Sequence, residues 1–409
     1  MKIGILTYHS VYNFGANLQV LSTVEYLRNN GYEPIIINWI PLDLETSYDH
    51  NFPTIQADAH KLFIQKLLPC TSICRDDREI VEVIELYEIK GIIIGSDAVL
   101  QHHTTFSRIH FSRRGITLNA KPKSDVLFPN PFWGSFIPYL KEKIPVVIMS
   151  ASSQNTDYKF INGSLRKKME MFLKQFQSIT VRDNWTRKMI KHLTHGSIIS
   201  NITPDPVFAY NQNVKVQYTK ADIIKKFKLQ EKYLLFSFYD TKVVSKDWLI
   251  SFKALAEMNN LQCVALTMPN GMNFDPPFNS IIEVPLSPNE WYGLIKYSSG
   301  YIGEKMHPIV IALHNVVPFF SFDLYGIVNF KFIVNYKSSK IFDILSHAGF
   351  LKNRVSILRS SDKLPTPEYV FSQISNFDYE KCRLFSNNQL EKYNAMMKDI
   401  STILNQSVF

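Results

Sequence analysis

The stretch Gly300–Asp323, GYIGEKMHPIVIALHNVVPFFSFD, most constrains what this chain can fold into. It reads as a short strand at Tyr301 and Ile302, then a polar turn from Gly303 through Glu304, Lys305 and Met306 to His307. An apolar helix follows from Pro308 to His314, and a second apolar strand from Val317 to Phe322. This is a β-turn-α-β unit. Its turn lies at the carboxyl end of a parallel strand and the amino end of a helix, where open α/β sheets bind ligands. The helix start leaves backbone N–H groups unpaired, and its dipole favours an anion. Pro308 suits the first helical position, because the N–H it lacks is one of those unpaired groups. Lys305 and His307 add positive or switchable charge at the same point, so the turn reads as an anion-handling site.

A chain of 409 residues exceeds what one hydrophobic core organises, which sets two domains as the expectation. With 45% hydrophobic and 20% charged residues it is neither disordered nor fibrous. No run approaches the roughly 18 apolar residues that span a bilayer. The opening MKIGILTYHS runs straight into a strand without a signal-peptide pattern, so the chain is expected in the cytoplasm. Cys70, Cys74, Cys263 and Cys382 are too scattered for a disulfide framework, and Cys70 and Cys74 have no second ligand pair nearby. His102 and His103 also lack an acidic or cysteine partner at ligand spacing, so no metal is expected. The formal charge of +9 suits a solvated lysine-rich surface or an anionic partner, either a phosphorylated substrate or a lipid phosphate. No basic block alternates with aromatics, so nucleic acid is not expected.

Taken in order, residues 2–8 form an apolar strand, and a helix from Ala16 to Asn30 ends at Gly31. Residues Pro34 to Trp39 complete a right-handed βαβ opening. The turn before the helix offers only Gly15, not G-x-G-x-x-G, so a nucleotide cofactor is not indicated; Gly15 and Asn17 remain candidates to meet an anion or sugar. Residues 41–77 read as irregular. The run Gly91 to Asp97 is a buried strand that places Ser96 and Asp97 at its carboxyl end, where Asp97 either caps a turn or faces a ligand. Residues 101–125, rich in histidine and arginine, read as a mobile substrate loop. Another strand ends in Ser150-Ala151-Ser152-Ser153, small residues that let a ligand approach. Arg182 stands where a strand meets a helix; it either grips a carboxylate or phosphate or pairs with Asp183 or another acid.

Residues 211–230 are the candidate linker, after which the alternation of strands and helices restarts. The expected units are residues 1–210, residues 211–386, and a terminal amphipathic helix within 387–409 that packs on the first domain. The fold class is therefore α/β, with two Rossmann-like doubly wound domains facing a cleft.

Several ordered pieces together resemble the polysaccharide pyruvyl transferase family. They are GILTYHSVYNFGANLQ, IIIGSD, MSASS, SITVRD, PDPVF and GEKMHPIVIALHNVVPFFSFD, spread across nearly the whole length. The resemblance implies a GT-B-like architecture and transfer of the enolpyruvyl-derived unit of phosphoenolpyruvate onto two hydroxyls of a sugar, with release of phosphate. The family works on capsular and other cell-surface glycan precursors, often lipid-linked, and needs no redox cofactor. Its turn usually carries arginine before the x-His pair and glycine or serine after it; here Lys305 and Pro308 stand there.

This donor bears a carboxylate and a phosphate, which matches Arg182, Lys305 and a helix start. His307 is the candidate phosphate ligand or general acid, since histidine ordinarily titrates near working pH. Asp97 is the candidate base towards a sugar hydroxyl, and Arg182 completes the catalytic set. Lys305, Glu304, Gly15, Asn17, Ser96 and Ser152 are the candidate binding residues. The acceptor is expected to be a lipid- or nucleotide-linked sugar, with peripheral contact at the inner membrane face. Two other readings share the fold: a glycosyltransferase using a nucleotide sugar, with Glu304 on a ribose, and a non-catalytic glycan-assembly protein.

Overall fold

A computed structural model describes residues 1–49, 52–103, 109–112, 115–118, 122–154, 156–215, 217–329, 333–359 and 362–406. The first half runs β1 (Lys2–Leu6), α1 (Phe14–Asn29), β2 (Glu33–Ile36), α2 (Leu42–Asp49), α3 (Thr54–Leu67), α4 (Asp77–Leu86) and β3 (Gly91–Asp97). It continues through an antiparallel hairpin, β4 (Ile109–Ser112) and β5 (Gly115–Leu118), to β6 (Val146–Ala151), α5 (Gly163–Leu173), β7 (Ser178–Val181), α6 (Asn184–Leu193) and β8 (Asn201–Ile202). Six of these strands form one parallel sheet in the order β2-β1-β3-β6-β7-β8. The sequence order reverses between β1 and β3, which puts the sheet's topological switch point at Thr7 and Asp97.

After α7 (Tyr210–Asn213) and α8 (Lys220–Phe227), a second sheet is built from β9 (Tyr233–Ser237), α9 (Lys246–Met258), β10 (Gln262–Leu266), β11 (Ser280–Ile282), α10 (Pro288–Lys296), β12 (Gly300–Gly303), α11 (Met306–His314) and β13 (Phe319–Asp323). A short hairpin of β14 (Ile327–Asn329) and β15 (Ile333–Asn335) precedes α12 (Lys340–Ala348), β16 (Arg354–Ser356), α13 (Pro367–Ser375) and α14 (Tyr379–Gln406). The order β11-β10-β9-β12-β13-β16 is again parallel throughout. Its switch point lies between β9 and β12, at Ser237 and Gly303. Both sheets are covered by helices on both faces, which is why strands such as Ile92–Ile94 and Leu234–Phe236 are apolar without alternation.

Several contacts join the halves. Phe14 at the start of α1 stacks on Trp291 of α10, with ring centroids 5.1 Å apart. The Gln56 side chain both donates to and accepts from the backbone of Leu286, at 2.9 and 2.8 Å. Helix α14 begins against α11, where Cys382 donates to the Leu313 carbonyl, and continues beneath the first sheet, where Met396 meets the Ser150 hydroxyl. At 28 residues it spans about 42 Å, enough to cross both halves. It starts well before residue 387 because Cys382 and Ser386 extend its buried face onto α11, ahead of the polar Asn387-Asn388-Gln389.

The segment 41–77 is largely helical rather than irregular. The inward face of α3 is Gln56, Ala57, His60 and Phe63, and its two polar members are buried by partners in α1 and in the second half. An amphipathic pattern cannot register such a face. Arg108, Arg113 and Arg114 lie outside the described residues. His102 has a structural role, its Nδ1 accepting from the Phe128 N–H at 3.2 Å.

Candidate active site

The turn after β12 is narrow because Gly303 packs against β9: a Cβ there would lie 2.7 Å from the Ser237 carbonyl oxygen. Lys305 is extended and α11 starts at Met306, so Pro308 occupies the third helical position rather than the first. Its missing N–H is still one of the first-turn groups with no partner inside the helix. From the opposite side comes the start of α1, capped by the Asn13 side chain, which accepts from Gly15 and Ala16 N–H at 3.0 and 3.3 Å. Gly15 lies flat against His307. A Cβ on Gly15 would stand 2.6 Å from the His307 Cβ and nearer still to the ring. Two helix starts, one from each half, therefore converge on one imidazole.

Behind His307 lies a buried charge cluster. Arg182, at the end of β7, reaches Asp205 at 2.8 Å and Asp97 at 3.3 Å with its two terminal nitrogens. Asp205 also accepts from Gln19 of α1 at 2.5 Å and from the Val207 N–H at 3.0 Å, and it lies 3.9 Å from His307 Nε2. Burial lowers the His307 imidazole to about 4, with Asp205 and Asp97 pulling it up and Arg182 and Lys340 pushing it down. Burial pushes the Asp97 carboxyl up, but Arg182, His307 and Lys340 together outweigh it and hold it below its ordinary value. Desolvation works against the Arg182 charge, and Asp205, Asp97 and Asp183 more than offset it. Burial raises the Glu304 carboxyl against the pull of Lys305, whose ammonium is 3.3 Å away.

Two cavities flank this cluster. One, of about 200 Å³, is bounded by Tyr12, Asn13, Trp291, Lys305, His307 and Tyr325, drawing walls from both halves. The other, of about 240 Å³, is bounded by Arg182, Asp205, Met306, Lys340, Asp343 and Lys392. Met306 is common to both. Among the described residues no group of three His, Cys, Asp or Glu side chains is placed to hold a metal ion.

The family model for polysaccharide pyruvyl transferases matches residues 13–324, from the Asn13 cap of α1 to the end of β13. The chain belongs to the polysaccharide pyruvyl transferase family. It is thus an enzyme of transferase type, and the family implies a sugar acceptor. No curated protein matches the chain by sequence. Among solved structures, the UDP-GlcNAc 2-epimerase of Neisseria meningitidis bound to UDP-GlcNAc superposes with a TM-score of 0.57 at 12% identity, covering 99% of this chain and 100% of that one. The UDP-GlcNAc 2-epimerase of Methanocaldococcus jannaschii gives 0.52 at 11% identity, covering 92% of each. A UGT transferase of Siraitia grosvenorii in complex with UDP gives 0.50 at 9% identity, with 99% and 100% covered. At these identities the likeness is one of fold: two Rossmann-like domains facing a cleft, of GT-B type.

Within this pyruvyl transferase fold the residues expected from sequence are not all in one place. His307 and Lys305 line the first cavity, Gly15 packs against His307, and Asp97 and Arg182 meet behind them. Asn17 does not reach the cleft. It is fully buried, donating to the His9 carbonyl and bonded to His60 Nδ1, so both ends of its amide are engaged internally. Ser152 is equally enclosed, donating to Asp183 at 2.7 Å and accepting from the Gln154 N–H. The Ser96 hydroxyl is buried, and the Ser96 carbonyl accepts from Thr7. Of the two readings of Arg182, the structure shows the pairing with acids, the partners being Asp205 and Asp97. One chemical expectation changes: burial lowers the His307 imidazole to about 4, away from working pH in the unliganded protein. Asp205, Lys340, Tyr12 and Tyr325 carry no role in the sequence reading. Asp205 and Tyr12 had a signal, Asp205 in Pro204-Asp205-Pro206 and Tyr12 in the stretch GILTYHSVYNFGANLQ, whereas Lys340 and Tyr325 had none.

Proposed function

We propose that the enzyme transfers the enolpyruvyl-derived unit of phosphoenolpyruvate onto two hydroxyls of one sugar, forming a cyclic ketal and releasing phosphate. The observation that carries this reading is the convergence on His307 of two helix starts, with Lys305 alongside, inside a cavity walled by both halves of a family member. A phosphate placed there meets unpaired N–H groups, the dipole of α11 and the Lys305 ammonium. Its negative charge opposes the burial that keeps His307 neutral, so the donor brings the conditions under which the imidazole takes up a proton.

The proton then goes to the donor's methylene carbon, and the enol carbon becomes cation-like. The first sugar hydroxyl adds to that carbon and yields its proton to a base. The carbon–oxygen bond to phosphate breaks, and the second hydroxyl adds with loss of its proton. Of the two hydroxyl protons, one ends in the new methyl group and one on the departing phosphate, so no electrons are transferred and no redox partner is needed. Asp97 serves as the base: Arg182 holds its carboxyl ionised, the state a base requires, and fixes its direction. Arg182 is therefore a positioning residue, and its partner Asp205 also lies 3.9 Å from His307 Nε2.

The acceptor class is a sugar on a nucleotide or lipid carrier. The net charge of +9 suits an anionic carrier and contact with the inner membrane face, and among the described residues no helix is long and apolar enough to cross a membrane. Vesicle binding that disappears at high salt supports the peripheral contact, and salt-independent binding contradicts it. Donor choice is tested by heat protection. Phosphoenolpyruvate raises the melting temperature; protection by nucleotide sugars with none by phosphoenolpyruvate turns the assignment to a glycosyltransferase.

A further inference from the structure

Helix α3 is turned inside out. Gln56 and His60 face the protein, where Leu286 and Asn17 satisfy them, while Ile55 and Leu62 face outward, 54% and 50% exposed. Ile55, Leu62 and Lys66 recur at intervals of seven and four residues, so they form one stripe along the outer face. Lys61 and Lys66 are exposed on this helix against a single carboxylate, Asp58. The stripe adjoins the cleft. Phe52, two residues before the helix, walls the cavity beside His307 and meets Tyr12 edge to face, with ring centroids 5.2 Å apart. On the flank of the helix, Lys61, Ile64 and Gln65 line a further cavity of about 340 Å³. Ile73, itself exposed, and Tyr12 close that cavity, and Tyr12 is common to it and the catalytic one.

We infer that the outer face of α3 seats on an anionic lipid surface and so presents the mouth of the cleft to a lipid-carried acceptor. This inference rests on the pyruvyl-transfer reading with a lipid-linked sugar. Half-exposed aliphatic side chains gain by entering the acyl boundary, and the lysines beside them meet lipid phosphates while their stems lie along the apolar surface. A second protein is the poorer occupant. At 14 residues α3 is about 21 Å long, so its outer face covers roughly 200 Å², a quarter of the ~800 Å² per partner in a stable interface. A lipid surface sets no such threshold. Shallow insertion of two side chains gives weak, reversible attachment, which suits an enzyme that must release one carrier and find the next. Phe52 and Ile55 are at most about 11 Å apart along the chain, so a carrier at the stripe and a sugar in the catalytic cavity lie within reach of one another.

The test measures sedimentation of the full chain with phosphatidylcholine vesicles, with and without phosphatidylglycerol. The variants are I55Q/L62Q, which keeps good helix formers in α3, and K61Q/K66Q. The control is M258Q, since Met258 is exposed at the end of α9, at the amino edge of the second sheet and away from the cleft. Each aliphatic side chain removed should weaken binding roughly fivefold, so I55Q/L62Q loses about 25-fold while M258Q stays within about twofold of the wild type. K61Q/K66Q should lose about fivefold per lysine on vesicles containing phosphatidylglycerol and nothing on phosphatidylcholine alone. All these side chains already face water, so urea melts should be unchanged, and K61Q/K66Q carries the test if I55Q/L62Q does not fold. I55Q/L62Q binding as the wild type does, or M258Q losing as much as I55Q/L62Q, overturns the inference. A wild-type dimer that I55Q/L62Q dissociates in light scattering assigns the face to a second copy and overturns it too. A wild type that forms the ketal but binds neither vesicle overturns the docking face and leaves pyruvyl transfer standing. Vesicle binding lost in I55Q/L62Q, in an enzyme whose wild type releases no phosphate from phosphoenolpyruvate, supports the docking face and overturns pyruvyl transfer.

Discussion

Replacing Gly15 by alanine tests whether the two domains jointly hold His307. The added Cβ would lie 2.6 Å from the His307 Cβ, with the ring closer still. Carbon atoms ordinarily meet at about 3.5 Å, so the imidazole or the whole α1 start must retreat by at least about 1 Å. A displacement of that size at a reacting group costs on the order of 100-fold in rate, or about 2.7 kcal/mol of activation free energy. The cost in stability is smaller. Overpacking contributes roughly 1–3 kcal/mol, and alanine regains about 1 kcal/mol over glycine inside a helix. The assay pairs steady-state phosphate release with a urea melt, and Gly163→Ala serves as the control, because nothing lies within 4 Å of a Cβ built there. G15A should lose about 100-fold in kcat with at most about 2 kcal/mol of stability, and G163A should lose neither. Turnover of G15A within about threefold of the wild type would refute the reasoning, since 1 Å of displacement could not then matter.

Removing Asp205 leaves the buried Arg182 with only the longer contact to Asp97, so D205A should cost about 3–5 kcal/mol in a urea melt; a loss below about 1 kcal/mol would show that the cluster relaxes around the gap. Acid should destabilise the fold through its buried histidines. Burial holds His60 and His314 down to about 3 and His307 to about 4, all below the unfolded value, so the unfolded chain takes up protons first. That stability is complete above about pH 6.5 and declines as pH falls towards about 4, by on the order of 2 kcal/mol per histidine at pH 5. Melts at pH 7 and pH 5 check this, and equal midpoints would contradict it. Lys305 is half exposed, so K305M should raise the KM for phosphoenolpyruvate about tenfold with no change in melting; a kcat effect without a KM effect would move Lys305 from binding to chemistry.

The architecture was legible because both sheets are parallel and buried, so β1, β3, β12 and β13 announce themselves as mainly apolar runs without alternation, set between helices. The turn at Lys305–His307 was legible for a related reason, since it joins a strand to a helix with no room for other residues. What escaped was tertiary. Nothing local marks Lys340, which acquires meaning only when α12 brings it towards Arg182, nearly 160 positions earlier in the chain. For Arg182 the sequence left a ligand fork and an acid pair open and could not name the partners, since Asp97 and Asp205 come from distant parts of the chain. Asn17 and Ser152 read as ligand contacts because small polar residues near strand ends often are, yet each is consumed by an internal partner invisible in one dimension. The polar inner face of α3 hid that helix in the same way.

The most direct test of the account is phosphate release from phosphoenolpyruvate across a panel of nucleotide- and lipid-linked hexoses, with mass detection of the ketal. It predicts one phosphate released per ketal formed with at least one acceptor, and a loss of at least about 100-fold in H307A. Release of phosphate without ketal, no release with any acceptor, or an H307A enzyme that works at the wild-type rate would contradict it.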